Sequence, residues 1–186
     1  MAFTTKYVFD LDHTLYNEKE CTESTNSKTY YNSFKTKPFL NQLLKAIPYK
    51  KYILTNATKL HAEDVLKRLG IEKHFHKTLS TDMVNNSLKP ELPIYLAAMQ
   101  EFGIKPNDNV YFFEDQPDNL ETAKTEFGWN TVLLTDRKMK KPKYVDFMFP
   151  KVEDALLFFQ IRENFKKDGI KQSSFKRVKS PKKTTK

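Results

Sequence analysis

Three apolar runs of strand length each stop abruptly at polar residues: Tyr7-Val8-Phe9 before Asp10, Tyr52-Ile53-Leu54 before Thr55-Asn56, and Val110-Tyr111-Phe112-Phe113 before Glu114-Asp115. A continuous run of β-formers, in place of an alternating one, marks a strand buried on both faces, as parallel strands are. Further strands are expected at 75–80, 130–134 and 144–149. Helical patterns fall between them. Pro38 suits the first turn of a helix over 38–47, with Phe39, Leu40, Leu43, Leu44 and Ile47 as its apolar stripe. Others are expected at 58–69, stopped by Gly70, from Lys89-Pro90 to Gly103, at 117–127, stopped by Gly128, and at 151–165. Strand and helix in alternation mean crossover units. The predicted fold is a doubly wound α/β domain, a parallel sheet with helices on both faces.

In such a sheet, ligands bind at the carboxyl ends of the strands. Asp10 and Asp12 stand there two residues apart, so both side chains can face one spot. At this point the sequence resembles a known family. Phe9-Asp10-Leu11-Asp12-His13-Thr14-Leu15 is similar to the first motif of the haloacid dehalogenase superfamily, Asp-x-Asp-x-Thr at a strand end. Leu54-Thr55-Asn56 resembles the second motif, Lys89 the third, and Phe113-Glu114-Asp115-Gln116-Pro117-Asp118-Asn119 the acidic fourth. All four occur in the family's order, over residues 6 to about 160, and imply its Rossmann-like fold.

The resemblance implies a phosphatase. Asp10 would be the nucleophile, giving an aspartyl-phosphate. Asp12 would protonate the leaving oxygen and then activate water. An Asp at position 12, where phosphonatases and transport ATPases differ, favours phosphate-ester hydrolysis. Thr55, Asn56 and Lys89 would bind the phosphoryl oxygens. Asp10, Asp12 (through its backbone carbonyl) and Asp115 would hold a metal. Carboxylates converging with a dianionic phosphate repel one another, so a cation is expected, and oxygen ligands favour Mg²⁺. Thr14, Glu114 and Asn119 are expected to support these groups from behind. His13 is expected to act sterically or toward substrate, while His61, His74 and His76 are assigned no role.

Specificity in the family comes from cap domains after the first motif or between the second and third. Neither interval here has room for a large cap, so an open mouth is expected, with 17–37 read as an irregular flap. Capless relatives suggest a nucleotide, a polynucleotide end or a phosphoprotein as substrate. Two sub-families compete: the pyrimidine 5′-nucleotidases, through both aspartate motifs, and the phosphatases of the polymerase C-terminal domain, through Lys37-Pro38-Phe39-Leu40. The sequence does not separate them.

The formal net charge is +9, and it is unevenly placed. Residues 166–186 hold nine Lys or Arg against one acid, Asp168, so a nearly neutral body (1–165) carries a basic tail. With its low apolar density the tail is expected to be disordered, and to contact nucleic acid or serve as a nuclear-import signal. Hence the alternative reading is a non-catalytic nucleic-acid-binding module on the same fold. Cys21 is the only cysteine, which excludes an internal disulfide. No apolar run approaches a membrane span and no signal-peptide core is present. A soluble intracellular protein, cytoplasmic or nuclear, is expected.

Overall fold

The computed structural model describes residues 4–17 and 27–167. Its strands are β1 (Thr5–Phe9), β2 (Lys50–Thr55), β3 (Lys77–Ser80), β4 (Asn109–Glu114), β5 (Asn130–Leu134) and β6 (Phe147–Phe149). All are parallel, in the order β3-β2-β1-β4-β5-β6. The helices are α1 (Ser27–Asn32), α2 (Pro38–Ala46), α3 (Lys59–Leu69), α4 (Leu92–Glu101), α5 (Pro117–Phe127) and α6 (Val152–Lys167).

Side chains alternate in direction along a strand, so neighbours on β1 enter different layers. Tyr7 and Phe9 join Ile53 and Phe113 on one face, where Leu40 and Leu44 of α2, Val65 and Leu69 of α3, and Leu156 and Phe159 of α6 cover them. Val8 joins Leu54, Phe112 and Leu133 on the other, beneath Ile94 and Tyr95 of α4 and Leu120 of α5. Each fully buried Leu or Phe contributes about 1.5–3 kcal/mol. The apolar runs are long because both faces are covered, as expected for a doubly wound sheet.

Local signals set the helix ends that matter for the site. Thr58 caps α3, its hydroxyl accepting from the His61 backbone N–H at 3.4 Å. Gly70, at φ 71°, closes that helix with a left-handed turn that a side chain would strain.

Some expectations need correction. The stretch 17–37 is not wholly irregular: α1 lies within it, and its Tyr31 and the following Phe34 pack against the core. Helix α4 begins at Leu92, so Lys89 sits in the turn ahead of it and not at its first residue. The last strand is shorter than 144–149, since Asp146 bonds to Thr131 before regular pairing starts at Phe147. Helix α6 runs two residues past 165, and the rest of the basic tail lies outside the described residues. Between β1 and β2 only α1 and α2 are found among the described residues, and no large cap domain is present. No helix of the described residues is long and apolar enough to cross a membrane.

Candidate active site

The chain winds outward from β1 through β2 to β3, then returns to the other side of β1 to lay down β4. That reversal opens a crevice at the carboxyl ends of β1 and β4. Phe9 pairs with Phe113 in the ladder, and their rings stack with centroids 4.5 Å apart. The Asp10 N–H continues the pairing, donating to Phe113 O at 2.9 Å. Asp10 and Glu114 therefore emerge side by side.

Between them sits one buried cation. Lys89 Nζ donates to Asp10 Oδ1 at 2.6 Å, to Glu114 Oε2 at 3.1 Å and to Leu54 O at 2.8 Å, and its side chain is 1% exposed. Its backbone is fixed from β2. Asn56 accepts from the Lys89 N–H at 2.7 Å and donates to the Lys89 carbonyl at 3.0 Å. The amide group of Asn56, expected on the phosphate, is thus engaged in clipping the lysine's backbone in place. Asn119, from the first turn of α5, donates to Glu114 Oε1, so its role is to hold that carboxylate.

Asp115 completes the acidic group: carboxylate oxygens of Asp10, Glu114 and Asp115 lie within 4.8 Å of one another. Burial pushes all three carboxyls above their ordinary range, and the Asp10 charge adds to the shifts of Glu114 and Asp115. Burial also works against the Lys89 charge, but Asp10 and Glu114 outweigh it and keep the ammonium. A single ammonium divided between two carboxylates fully compensates neither. With all three carboxyls ionised, one ammonium would leave two negative charges uncovered, the charge of one divalent cation. Hard oxygen donors with that deficit fit Mg²⁺.

Asp12 belongs to a different environment. Its side chain lies outside the acidic group, and its Oδ1 accepts from the Tyr16 hydroxyl and from His61 Nε2–H at 3.0 Å. Tyr31 O–H in turn meets His61 Nδ1 at 2.8 Å. Burial alone would raise the Asp12 pKa, yet the His61 and Tyr16 hydrogen bonds hold it below the usual carboxylate value. Two neighbouring aspartates are thereby pushed in opposite directions, Asp10 upward by burial and Asp12 downward by its hydrogen bonds. His61, assigned no role from the sequence, is a site residue. The legible signal was its position in the first turn of the helix after β2, which faces the carboxyl edge of the sheet.

Thr55 is fully buried and its hydroxyl accepts from the Ala57 N–H at 3.0 Å, shaping the turn at the strand end. Thr14 Oγ1 is buried with no hydrogen-bond partner among the described residues. A desolvated, unbonded hydroxyl costs about 1–3 kcal/mol. Thr14→Val, nearly the same shape without the hydroxyl, is therefore expected to keep or raise the midpoint of urea unfolding. A clear drop would mean that the hydroxyl has a partner in solution.

Comparison with known proteins shows what the chain is similar to. A family model described as haloacid dehalogenase-like hydrolase matches residues 34–125. The chain is 28% identical over 119 residues to a phosphorylated carbohydrates phosphatase of Thermotoga maritima, covering 62% of this chain and 54% of that one. It thus spans about half the length of the curated relative it matches. Among solved structures, L-2-haloacid dehalogenase from Xanthobacter autotrophicus superposes with a TM-score of 0.66 at 15% identity, over 85% of this chain and 99% of that one. A haloacid dehalogenase-type phosphatase from Thermococcus onnurineus gives a TM-score of 0.58 at 20% identity, over 71% and 61% of the two chains. At these identities the structures show a shared fold.

Proposed function

We infer that this chain, which belongs to the haloacid dehalogenase-like hydrolases, hydrolyses phosphate monoesters through Asp10, assisted by Asp12 and a bound Mg²⁺. The observation that carries the reading is the division of labour at one strand end. Asp10 is buried beside Lys89 and the acidic group, while Asp12, two residues on, is held apart by His61 and Tyr16.

Asp10 forms a bond to phosphorus as the ester P–O bond breaks, and the proton on Asp12 goes to the departing oxygen. The alcohol leaves and phosphate stays on Asp10. Water then attacks phosphorus, its proton passes to Asp12, and the P–O bond to Asp10 breaks to free inorganic phosphate. Asp12 gives one proton and takes one in each turnover, so charge and atoms balance. Lys89 offsets the charge of Asp10 and of incoming phosphoryl oxygens without reorganising, since its backbone and ammonium are both fixed. Thr55 and the backbone around it orient the phosphoryl group. Asp10 and Asp115, with the Asp12 carbonyl as the family resemblance implies, would hold a cation that would supply charge neutralisation, and Asn119 holds the Glu114 carboxylate beside them.

The substrate is a phosphate monoester whose organic part lies outside a site with no large cap. The Thermotoga relative, a phosphorylated carbohydrates phosphatase, makes sugar phosphates the first class to screen. Nucleotides, polynucleotide ends and phosphoproteins follow. No observation among the described residues favours the nucleic-acid-binding alternative.

Protein stripped by a chelator is expected to lose p-nitrophenyl phosphate hydrolysis and to regain it on adding Mg²⁺. Asp115→Asn is expected to raise the Mg²⁺ concentration for half-maximal rate by more than the about 10–100-fold typical of losing an outer-shell partner. Hydrolysis indifferent to chelation, or absent with Mg²⁺ present, would overturn the reading.

A further inference from the structure

We propose that His61, oriented by Tyr31, is a positioning residue that locks the Asp12 carboxyl so that only Oδ2 exchanges the catalytic proton. The inference rests on the hydrolase reading above and adds to it a residue for the proton-transfer step.

The argument begins with which oxygen is gripped. Both donors to Asp12, the Tyr16 hydroxyl and His61 Nε2–H, fall on Oδ1. An oxygen that already accepts two hydrogen bonds is the carbonyl oxygen of a carboxylic acid, so whenever Asp12 takes up the catalytic proton, Oδ2 is the atom that receives it. Two donors from different directions also fix the plane of the carboxyl group. Tyr16 arrives from four residues along the same loop, His61 from α3. A carboxyl held by one donor swings about its bond, while one held by two presents the same atom at every turnover. Positioning of that kind is where a large part of general acid–base catalysis lies.

His61 can do this only in one tautomer, with the proton on Nε2. Tyr31 is placed to set it: with its phenolic O–H, 2.8 Å from Nδ1, as the donor there, Nε2 is left as the N–H that faces Asp12. Tyr31 is fixed by the aromatic group around α1. Its ring packs at 5.3 Å from Tyr30 and 6.2 Å from Phe34, with the Arg68 guanidinium 5.6 Å above it. Thr58 caps α3 onto the His61 backbone N–H, which fixes the other end of the chain Tyr31–His61–Asp12. Side-chain exposures of 21% and 29% for His61 and Asp12 place the contact at the mouth and not in the core.

The test uses the full chain with Mg²⁺ and two probes, p-nitrophenyl phosphate and glycerol 2-phosphate. Nitrophenolate leaves without help, whereas an alkoxide needs its proton, and kcat/KM reports the step in which the leaving group departs. His61→Leu is expected to lower kcat/KM for the alkyl ester at least about tenfold more than for the aryl ester, within the span of general acid catalysis. His61→Gln, whose amide N–H reaches the place of Nε2, should restore most of the difference. Tyr31→Phe, which removes one hydroxyl and leaves the packing, should show a smaller loss of the same kind. In imidazole nitrogen spectra of the protein without added metal, His61 should be protonated at Nε2, and Tyr31→Phe should shift the Nδ1 signal. Equal losses on both esters, no loss, or a proton on Nδ1 would overturn the proposal. If the wild-type protein hydrolysed neither ester, the hydrolase reading would have failed first and this inference with it.

Discussion

Asp10→Asn is expected to remove hydrolysis of p-nitrophenyl phosphate almost completely, by at least about 10⁴-fold in kcat, as loss of a covalent nucleophile does elsewhere. The same substitution should leave the protein at least as stable. Burial raises the Asp10 pKa, so at neutral pH its charge is less comfortable folded than unfolded. Replacing the carboxylate with a neutral amide of the same shape relieves that cost. The amide oxygen still accepts from Lys89 in the place of Oδ1. Activity and melting temperature should therefore separate, which a merely structural Asp10 would not allow. A companion variant sharpens the point. Asp12→Asn keeps the nucleophile but lacks the base of the second step, so with an activated aryl ester it should accumulate one phosphoryl group per chain by intact mass. An Asp10→Asn protein that keeps a tenth of wild-type activity would end the aspartyl-phosphate mechanism for this chain.

Lys89→Met should be the most destabilising single change near the site. It takes the only ammonium from a pocket where Asp10 and Glu114 are both buried, and it also leaves the Leu54 carbonyl without its donor. Breaking a buried ion pair by removing one partner costs about 3–5 kcal/mol. Against a total of about 5–15 kcal/mol for a domain, that is a large fraction. Glu114→Gln added to Lys89→Met removes one stranded charge, so the double variant should be more stable than the single one in urea unfolding. Sites in contact are not additive, and the size of the recovery measures their coupling. A Lys89→Met protein as stable as wild type would mean that the pocket is wetter than its burial implies.

How much of this was legible in the sequence follows the range over which each feature is determined. The strands announced themselves because burial on both faces demands unbroken apolar runs, and the four motifs sit where those runs end. Asp10, Glu114 and Asp115 lie together because register in a parallel sheet fixes which strand ends are neighbours, and Lys89 reaches them from the turn before α4. Side-chain partnerships were harder. Asn56 read as a phosphate ligand because its position in the strand is visible, but its two bonds to Lys89 cross 33 residues of sequence. His61 read as a helix residue of no consequence, since its meeting with Asp12 depends on where α3 starts relative to the loop after β1. Helix α1 was missed because its six residues, Ser-Lys-Thr-Tyr-Tyr-Asn, have too little length for a helical period and owe their order to packing by Tyr31.

The ion pair of Lys89 spans 79 residues to Asp10 and 25 to Glu114, so its three members come from distant parts of the chain. While the sheet is half assembled, each of these groups must either stay in water or be buried without its counterpart, and the second option is prohibitively uphill. Closing of β1 and β4 over their shared edge is therefore expected to be coupled to placement of the turn bearing Lys89. Chains cut anywhere between Asp10 and Asp115 should accordingly give no partial enzyme, only a fully folded hydrolase or none.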